Sequence, residues 1–293
     1  MEAIANMKLT KLAIFGVGLI GGSLALALKQ VGAVDEVVGV GRSHTNLEQA
    51  LALGIIDRVA LDVADAVRDA DVVLLAVPVG QMAMLMQVIA PHLAAHTIVT
   101  DAGSTKQDVS ALMQAYLPVA QCVPAHPIAG AELSGATAAR STLYQGKNLI
   151  LTPLPQSNIA AVQTVRDMWQ LAGAKVSEMS AAEHDAIFAT VSHLPHLLAY
   201  TLVDMIVQRD NAAVLFDFAA SGFRDFTRIA ASSPEMWCDI ALANKDALLM
   251  ELSAYQDKLT QLHAVLSQSD AGMLTRIFSR AQAARQAWQT KLV

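Results

Sequence analysis

A single imidazole, His126, stands in "AHPIAGAELSG" (125–135), and a hydroxyl, Ser104, in "TDAGSTK" (100–106). Small residues, glycine and proline keep either segment from continuing far as helix or strand. A neutral histidine beside a substrate hydroxyl can take its proton while hydride leaves the same carbon, which is general-base work. A serine beside it could hold the ring in one tautomer. On spacing alone, His126 is more simply a hydrogen-bonded loop residue, so the elements around it must decide.

Further along lie "SHLPH" (192–196) and "FRDFTRIA" (223–230). Arg224 and Arg228 are four apart on one helical face, an arrangement that suits a dianion, and Asp225 could fix the Arg228 guanidinium. A solvated Arg–Asp helix face fits the same residues. His193 and His196 could be metal ligands, but no third ligand accompanies them, and no metal is expected. Pro195 lies inside a long apolar helix, where it frees a carbonyl and kinks the chain. Trp237 follows "SSPE", a helix start with proline at the first position, and is expected to pack the helical part.

The elements that position these groups come in two kinds. Through residue 179, the apolar runs "KLAIFG", "EVVGVG", "DVVLLAV", "TIVTDAG", "QCVPAHPI" and "NLILTP" recur, with helical periodicity between most of them. Continuous apolar strands alternating with helices predict a doubly wound parallel sheet, completed by "NLILTP", a helix over 159–172 and "AKVSEMS". At Ser180 the pattern changes: "SAAE" reads as a capping box, and helix follows to the end. The chain thus divides into a Rossmann-type domain (1–179) and an all-helical substrate-binding and dimerisation domain (180–293), whose apolar faces suit a second copy.

Composition agrees with an α/β enzyme. The 293 residues are 54% hydrophobic and 16% charged, with net charge −6, which excludes the clustered basic surface of a nucleic-acid binder. Cys122 and Cys238 match no metal spacing and read as reduced thiols of a cytoplasmic protein. "MKLTKLAIFGVGLIGGSLALALK" imitates a signal peptide, but glycines interrupt its apolar run and a nucleotide-binding unit continues from it. No apolar stretch is expected to reach the ~20 residues of a membrane span.

"GVGLIG" gives Gly16, Gly18 and Gly21 as G-x-G-x-x-G between a strand and a helix. Gly16 permits the turn, Gly18 admits the pyrophosphate, and Gly21 lets helix and strand approach. The N–H groups at the helix start, including Leu19 and Ile20, face the phosphates. An NAD-selective site carries an acidic residue at the end of the second strand. This chain has Gly41, Arg42 and Ser43, and Asp35 and Glu36 lie at the wrong end. Arg42, Ser43 and Thr45 suit a 2′-phosphate, so NADP is expected over NAD. Val77 and Pro78, in "AVPVG", turn the chain where the nicotinamide half would lie.

With these motifs assembled, nearly the whole chain resembles the prephenate/arogenate (cyclohexadienyl) dehydrogenase family. The resemblance rests on "GVGLIGGSLALAL", "DAGSTK", "HPIAGAELSG", "SHLPH" and "FRDFTRIA…SPEMWCDI", in that order. It implies oxidative decarboxylation of a cyclohexadienyl diacid. It implies that His126 accepts the ring hydroxyl proton, and that Ser104 orients His126 and contacts the nicotinamide side. His196 and Arg228 would bind substrate carboxylate, with Glu132 a gating or polar contact beside His126. The resemblance leaves no room for the added mutase or regulatory domains of some members, and the NADP signal leans toward arogenate. Two rivals remain: a β-hydroxyacid or imine-type dehydrogenase using Lys245, and a non-catalytic nucleotide sensor that would not need Ser104, His126, His196 and Arg228 together.

Overall fold

The computed structural model describes residues 7–130 and 133–290. Leu9–Phe15 (β1) begins a six-stranded parallel sheet with Val34–Val40 (β2), Arg58–Val59 (β3), Val72–Leu75 (β4), Ile98–Asp101 (β5) and Cys122–Val123 (β6), in the order β3-β2-β1-β4-β5-β6. The helices between them are Leu19–Gln30 (α1), His44–Ala52 (α2), Val63–Val67 (α3), Val79–Ile89 (α4) and Gln107–Tyr116 (α5). Alternation along β1 feeds two separate cores. Leu12 and Ile14 join Leu24, Leu28, Tyr144 and Trp169 in one cluster, while Ala13 and Phe15 join Leu75, Met82 and Met86 in the other. With both faces covered, β1 reads as a continuous apolar run.

The expected continuation of this layer is corrected. "QCVPAHPI" is two strands in two sheets: β6 pairs with β5, whereas Ala125–Pro127 (β7) pairs antiparallel with Asn148–Leu151 (β8). Pro124, between them, has no N–H for a ladder, so the run breaks there. After Ile159–Leu171 (α6), Lys175–Glu178 (β9) pairs parallel with β8, closing a separate three-stranded sheet.

Ser180 caps Ala181–Phe188 (α7) in a capping box with Glu183. A π-helical turn, Ala189–His193, then leads into Leu194–Val207 (α8). Pro195 therefore sits in the first turn of α8, and the π turn absorbs the hydrogen bond that its missing N–H would leave open. The helical run from Ala181 to Val207 covers 27 residues and contains an 18-residue stretch of mean hydropathy 1.4, long and apolar enough by length and composition to cross a membrane, contrary to the expectation from sequence. It nevertheless carries His184, Asp185 and His193, all buried in a polar network of the protein interior. Ala212–Asp217 (α9), Ser221–Thr227 (α10), a 3₁₀ turn over Arg228–Ala231 and Pro234–Ala243 (α11) follow.

By compactness the chain forms one unit through Lys245 and a second from Asp246. The second consists of Lys245–Ser267 (α12), apart from its first residue, and Ala271–Thr290 (α13), with Ser269 at positive φ in the turn between them. Leu249, Met250, Leu259, Leu266, Phe278 and Trp288 are exposed there.

Gly21 shows how tightly α1 meets β1. A Cβ there would lie 2.5 Å from the Gly16 carbonyl oxygen and 2.7 Å from Ile14 Cγ2. Helix propensity alone would reward Gly21→Ala by about 1 kcal/mol. Overpacking costs about 1–3 kcal/mol and should win. Chemical denaturation should give a net destabilisation of up to about 2 kcal/mol, the overpacking cost less the propensity gain.

Candidate active site

The glycine loop closes the carboxyl end of β1. Gly16 has φ 98°, and a Cβ there would collide with the Ala76 carbonyl after β4. Gly18 is different: a Cβ would meet nothing within 4 Å, so protein packing does not require glycine at that position. Gly18 is also the N-cap of α1, with no side chain capping it. An open approach to an uncapped helix start is the cradle a pyrophosphate requires, and the residues present fit a dinucleotide. Asn46 braces the loop, donating to the Val17 carbonyl at 2.7 Å and accepting from Ala136 N–H at 2.8 Å.

At the end of β2, Gly41, Arg42 and Ser43 are exposed. Ser43 also caps α2, accepting from Asn46 N–H. The carboxylates on β2 are engaged elsewhere: Asp35 pairs with Lys8 at 2.6 Å and Glu36 with Arg58 at 2.8 Å. Val77 and Pro78 form the turn into α4, with Pro78 as its N-cap. Asp239, on α11, accepts Gly80 N–H in that first turn at 3.2 Å. A Cβ at Gly80 would lie 2.5 Å from the same carboxylate.

His126 is held by a chain of buried polar groups. Its Nδ1 lies 2.8 Å from His184 Nε2, and His184 Nδ1 lies 2.8 Å from Asp185 Oδ1. Asp185 also accepts the N–H groups of Lys106 at 2.8 Å and Gln107 at 2.9 Å, which caps the start of α5 from α7. The expectation that Ser104 fixes the His126 tautomer is corrected: the partner of Nδ1 is His184. Ser104 instead places its backbone beside His193, where it acts to raise the pKa of that ring. Asn244, at the end of α11, donates to the Asp185 carbonyl at 2.8 Å and to His193 Nδ1 at 3.1 Å. Phe188 stacks on His184 with centroids 4.4 Å apart and lies 5.0 Å from His126.

A second buried ionic group docks β7 against β5. Lys106 Nζ pairs with Asp101, both side chains fully buried, and donates to the Ala125 carbonyl at 2.7 Å. Asp101 accepts from Ala125 N–H at 3.0 Å and Gly103 N–H at 2.7 Å. Such satisfaction is what a buried pair requires, since desolvation otherwise outweighs attraction. Both backbone groups of the residue before His126 are thereby pinned.

Burial first, then the charges of His184, Lys106 and His193, hold His126 well below the ordinary imidazole value. Burial is also the leading cause that pushes His193 down to about 4 and lowers His184. The neighbours of Asp185 outweigh its burial and keep its carboxyl below the usual range. His196 stacks on Trp237 with centroids 3.6 Å apart, and its Nδ1 lies 2.9 Å from the Ser192 carbonyl. Burial, and the charge of Arg228 among further causes, lowers His196, so these two side chains share one field. Arg224 is exposed, with its Nε 3.8 Å from Asp225. Glu132 lies outside the described residues. Lys245 is exposed, so the rival lysine chemistry finds no buried base there.

His184, Asp185, Lys106, Asp101, Asn244 and Asp239 were missed by sequence reasoning. The available signal was an adjacent His–Asp pair just inside a capped and otherwise apolar helix start, "SAAEHDAIF". Asn244 and Asp239 gave none.

The fold and this site define a nucleotide-binding α/β oxidoreductase with a helical second part. Residues 24–178 match the prephenate dehydrogenase nucleotide-binding domain, and residues 180–280 the prephenate dehydrogenase dimerization domain. The chain belongs to the prephenate dehydrogenase family. It is 38% identical to a cyclohexadienyl dehydrogenase of Zymomonas mobilis, over 95% of this chain and 96% of that one. It is also 38% identical to a prephenate dehydrogenase of Bacillus subtilis, over 91% of this chain and 73% of that one. A prephenate dehydrogenase from A. aeolicus, solved in complex with hydroxyphenyl propionate and NAD+, superposes with a TM-score of 0.90 at 32% identity. That match covers 96% of this chain and 99% of the other.

Because Gly18 is open in the protein and a pyrophosphate seated at the start of α1 would need that space, Gly18→Ala should leave the melting temperature within about 2 °C, as expected of a substitution within about 0.5 kcal/mol. Dinucleotide affinity, read by calorimetric titration, should fall at least tenfold.

Proposed function

We propose that this enzyme carries out the NAD(P)-dependent oxidative decarboxylation of prephenate or arogenate, giving 4-hydroxyphenylpyruvate or tyrosine. The observation that carries the reading is His126, whose Nδ1 is engaged by His184 at 2.8 Å while burial keeps the ring neutral. That leaves Nε2 as the lone pair to receive a proton. A bound nicotinamide supplies the hydride acceptor. The ring hydroxyl gives its proton to His126 Nε2 as hydride leaves the same carbon. The ring carboxylate then departs as CO2, its bonding electrons aromatise the ring and come to rest on oxygen, and His126 returns the proton there.

His196 and Arg228, coupled through one field, bind the substrate carboxylates. Arg224 and Glu132 complete the polar rim, and Ser104 meets the nicotinamide side. Gly16, Gly18, Leu19, Ile20, Gly21, Val77 and Pro78 seat the dinucleotide. We propose NADP in preference to NAD, on the exposed Arg42 and Ser43 and the prior engagement of Asp35 and Glu36. The match to a dimerization domain and the exposed apolar side chains of α12 and α13 support a homodimer. The free thiols of Cys122 and Cys238 suit the cytoplasm.

Absorbance at the reduced-nicotinamide band, with prephenate and arogenate each paired with NAD and NADP, tests the whole reading. Turnover with at least one diacid is expected, faster with NADP, and no reduction with either substrate would remove the proposal. His126→Asn should bind dinucleotide normally and lose about 10²–10⁴-fold in kcat, the range for a general base. Arg228→Ala should raise KM about ten- to a hundredfold, as for a lost charge-assisted hydrogen bond worth about 1.5–3 kcal/mol. An unchanged KM would discredit that role.

A further inference from the structure

We propose that His184 is a relaying imidazole: as His126 Nε2 takes the substrate proton, the His126 Nδ1 proton passes to His184 Nε2, and the positive charge comes to rest on His184 against Asp185. This rests on the reading of His126 as the base, and it adds a residue that acts through His126.

The tautomers follow from the end of the chain that can only accept. Asp185 Oδ1 accepts from Lys106 N–H at 2.8 Å and stands 2.8 Å from His184 Nδ1, which must therefore carry a proton. His184 Nε2 is then an acceptor, and at 2.8 Å from it His126 Nδ1 must be the donor. All protons in the chain point toward Asp185. The remaining lone pair, on His126 Nε2, is where a new proton enters.

Charge then decides where that proton's positive charge can stay. Among the described residues, those facing His126 are His184, Lys106 and His193, with no carboxylate among them. Facing His184 are Asp185 and Asp101 as well as Lys106. An imidazolium at 126 would stand one ring away from its counter-charge, whereas one at 184 touches it. The two rings have the same intrinsic basicity, so the step between them is not uphill as transfer onto a carboxylate would be. Phe188, packed on both rings, keeps water from intercepting the proton. The step balances. The substrate O–H bond breaks and His126 Nε2–H forms; His126 Nδ1–H breaks and His184 Nε2–H forms; His184 Nδ1–H is kept. No electrons change hands, and the shift reverses when the product oxygen is reprotonated.

Two measurements test this. In the unmutated protein labelled with ¹⁵N-histidine, at pH 7.5, both His126 and His184 should show the proton on Nδ1. A proton on Nε2 of His126 would overturn the proposal without any variant having to fold. His184→Gln keeps a carbonyl that can accept from His126 Nδ1 but cannot pass a proton on. In mixed H2O/D2O, kcat/KM of the unmutated enzyme should bow as for two protons in flight. In His184→Gln it should become linear, with kcat down at least tenfold, the acid limb of the pH profile displaced and KM for dinucleotide unchanged. A linear response in the unmutated enzyme, or unaltered kcat and pH profile in His184→Gln, would sink the relay. If His126→Asn itself kept turnover, the base reading would fail instead, so the two failures are told apart.

Discussion

Asp185 is a carboxylate taken out of water, and the site is arranged around the need to satisfy it. An isolated buried charge costs several kcal/mol, so its oxygens must be engaged in the fold. They are met by two N–H groups at the start of α5 and one imidazole of α7. Each partner fixes something else: the α5 contacts order the loop that carries Ser104, and the imidazole orders His126. Removing the carboxylate would leave two helix-start donors and the Nδ1 of His184 without a partner at once.

Lys106 joins this group to the other buried ion pair. Its backbone N–H serves Asp185 while its ammonium serves Asp101 and the Ala125 carbonyl. One residue thus registers β5, β7 and α7 against each other. Helix α11 adds the third side. Asp239 reaches the first turn of α4, Trp237 lies on His196, and Asn244 ends among Asp185 and His193. The turn into α4, His196 and, through Asp185, the His184–His126 pair are therefore connected through one short helix.

The parallel sheet and glycine loop were legible because period and turn chemistry are local: "KLAIFGVGLIG" names a strand, a turn and a helix within eleven residues. The capping box at Ser180 was legible for the same reason. The break at Pro124 was not, because a proline between two apolar pairs looks like one strand until the pairing partners are known. The π turn before Pro195 was equally hidden, since helix periodicity does not register one inserted hydrogen-bond step. His126 and Ser104 could be picked out as groups able to react, but not their partners. The contacts of His126 to His184 and of Lys106 to Asp185 span 58 and 79 residues, and pairing at that range leaves no trace in spacing.

In the three-residue strand that holds His126, Ala125 and Pro127 are buried on one face and the half-buried imidazole lies on the other, against His184 and Phe188. Insertion or loss of one amino acid anywhere between Asp101 and Pro127 that altered this phase would take the ring off His184 and set an alanine or a proline there instead. Length variation among natural or engineered versions of this chain should consequently be purged from the stretch before His126.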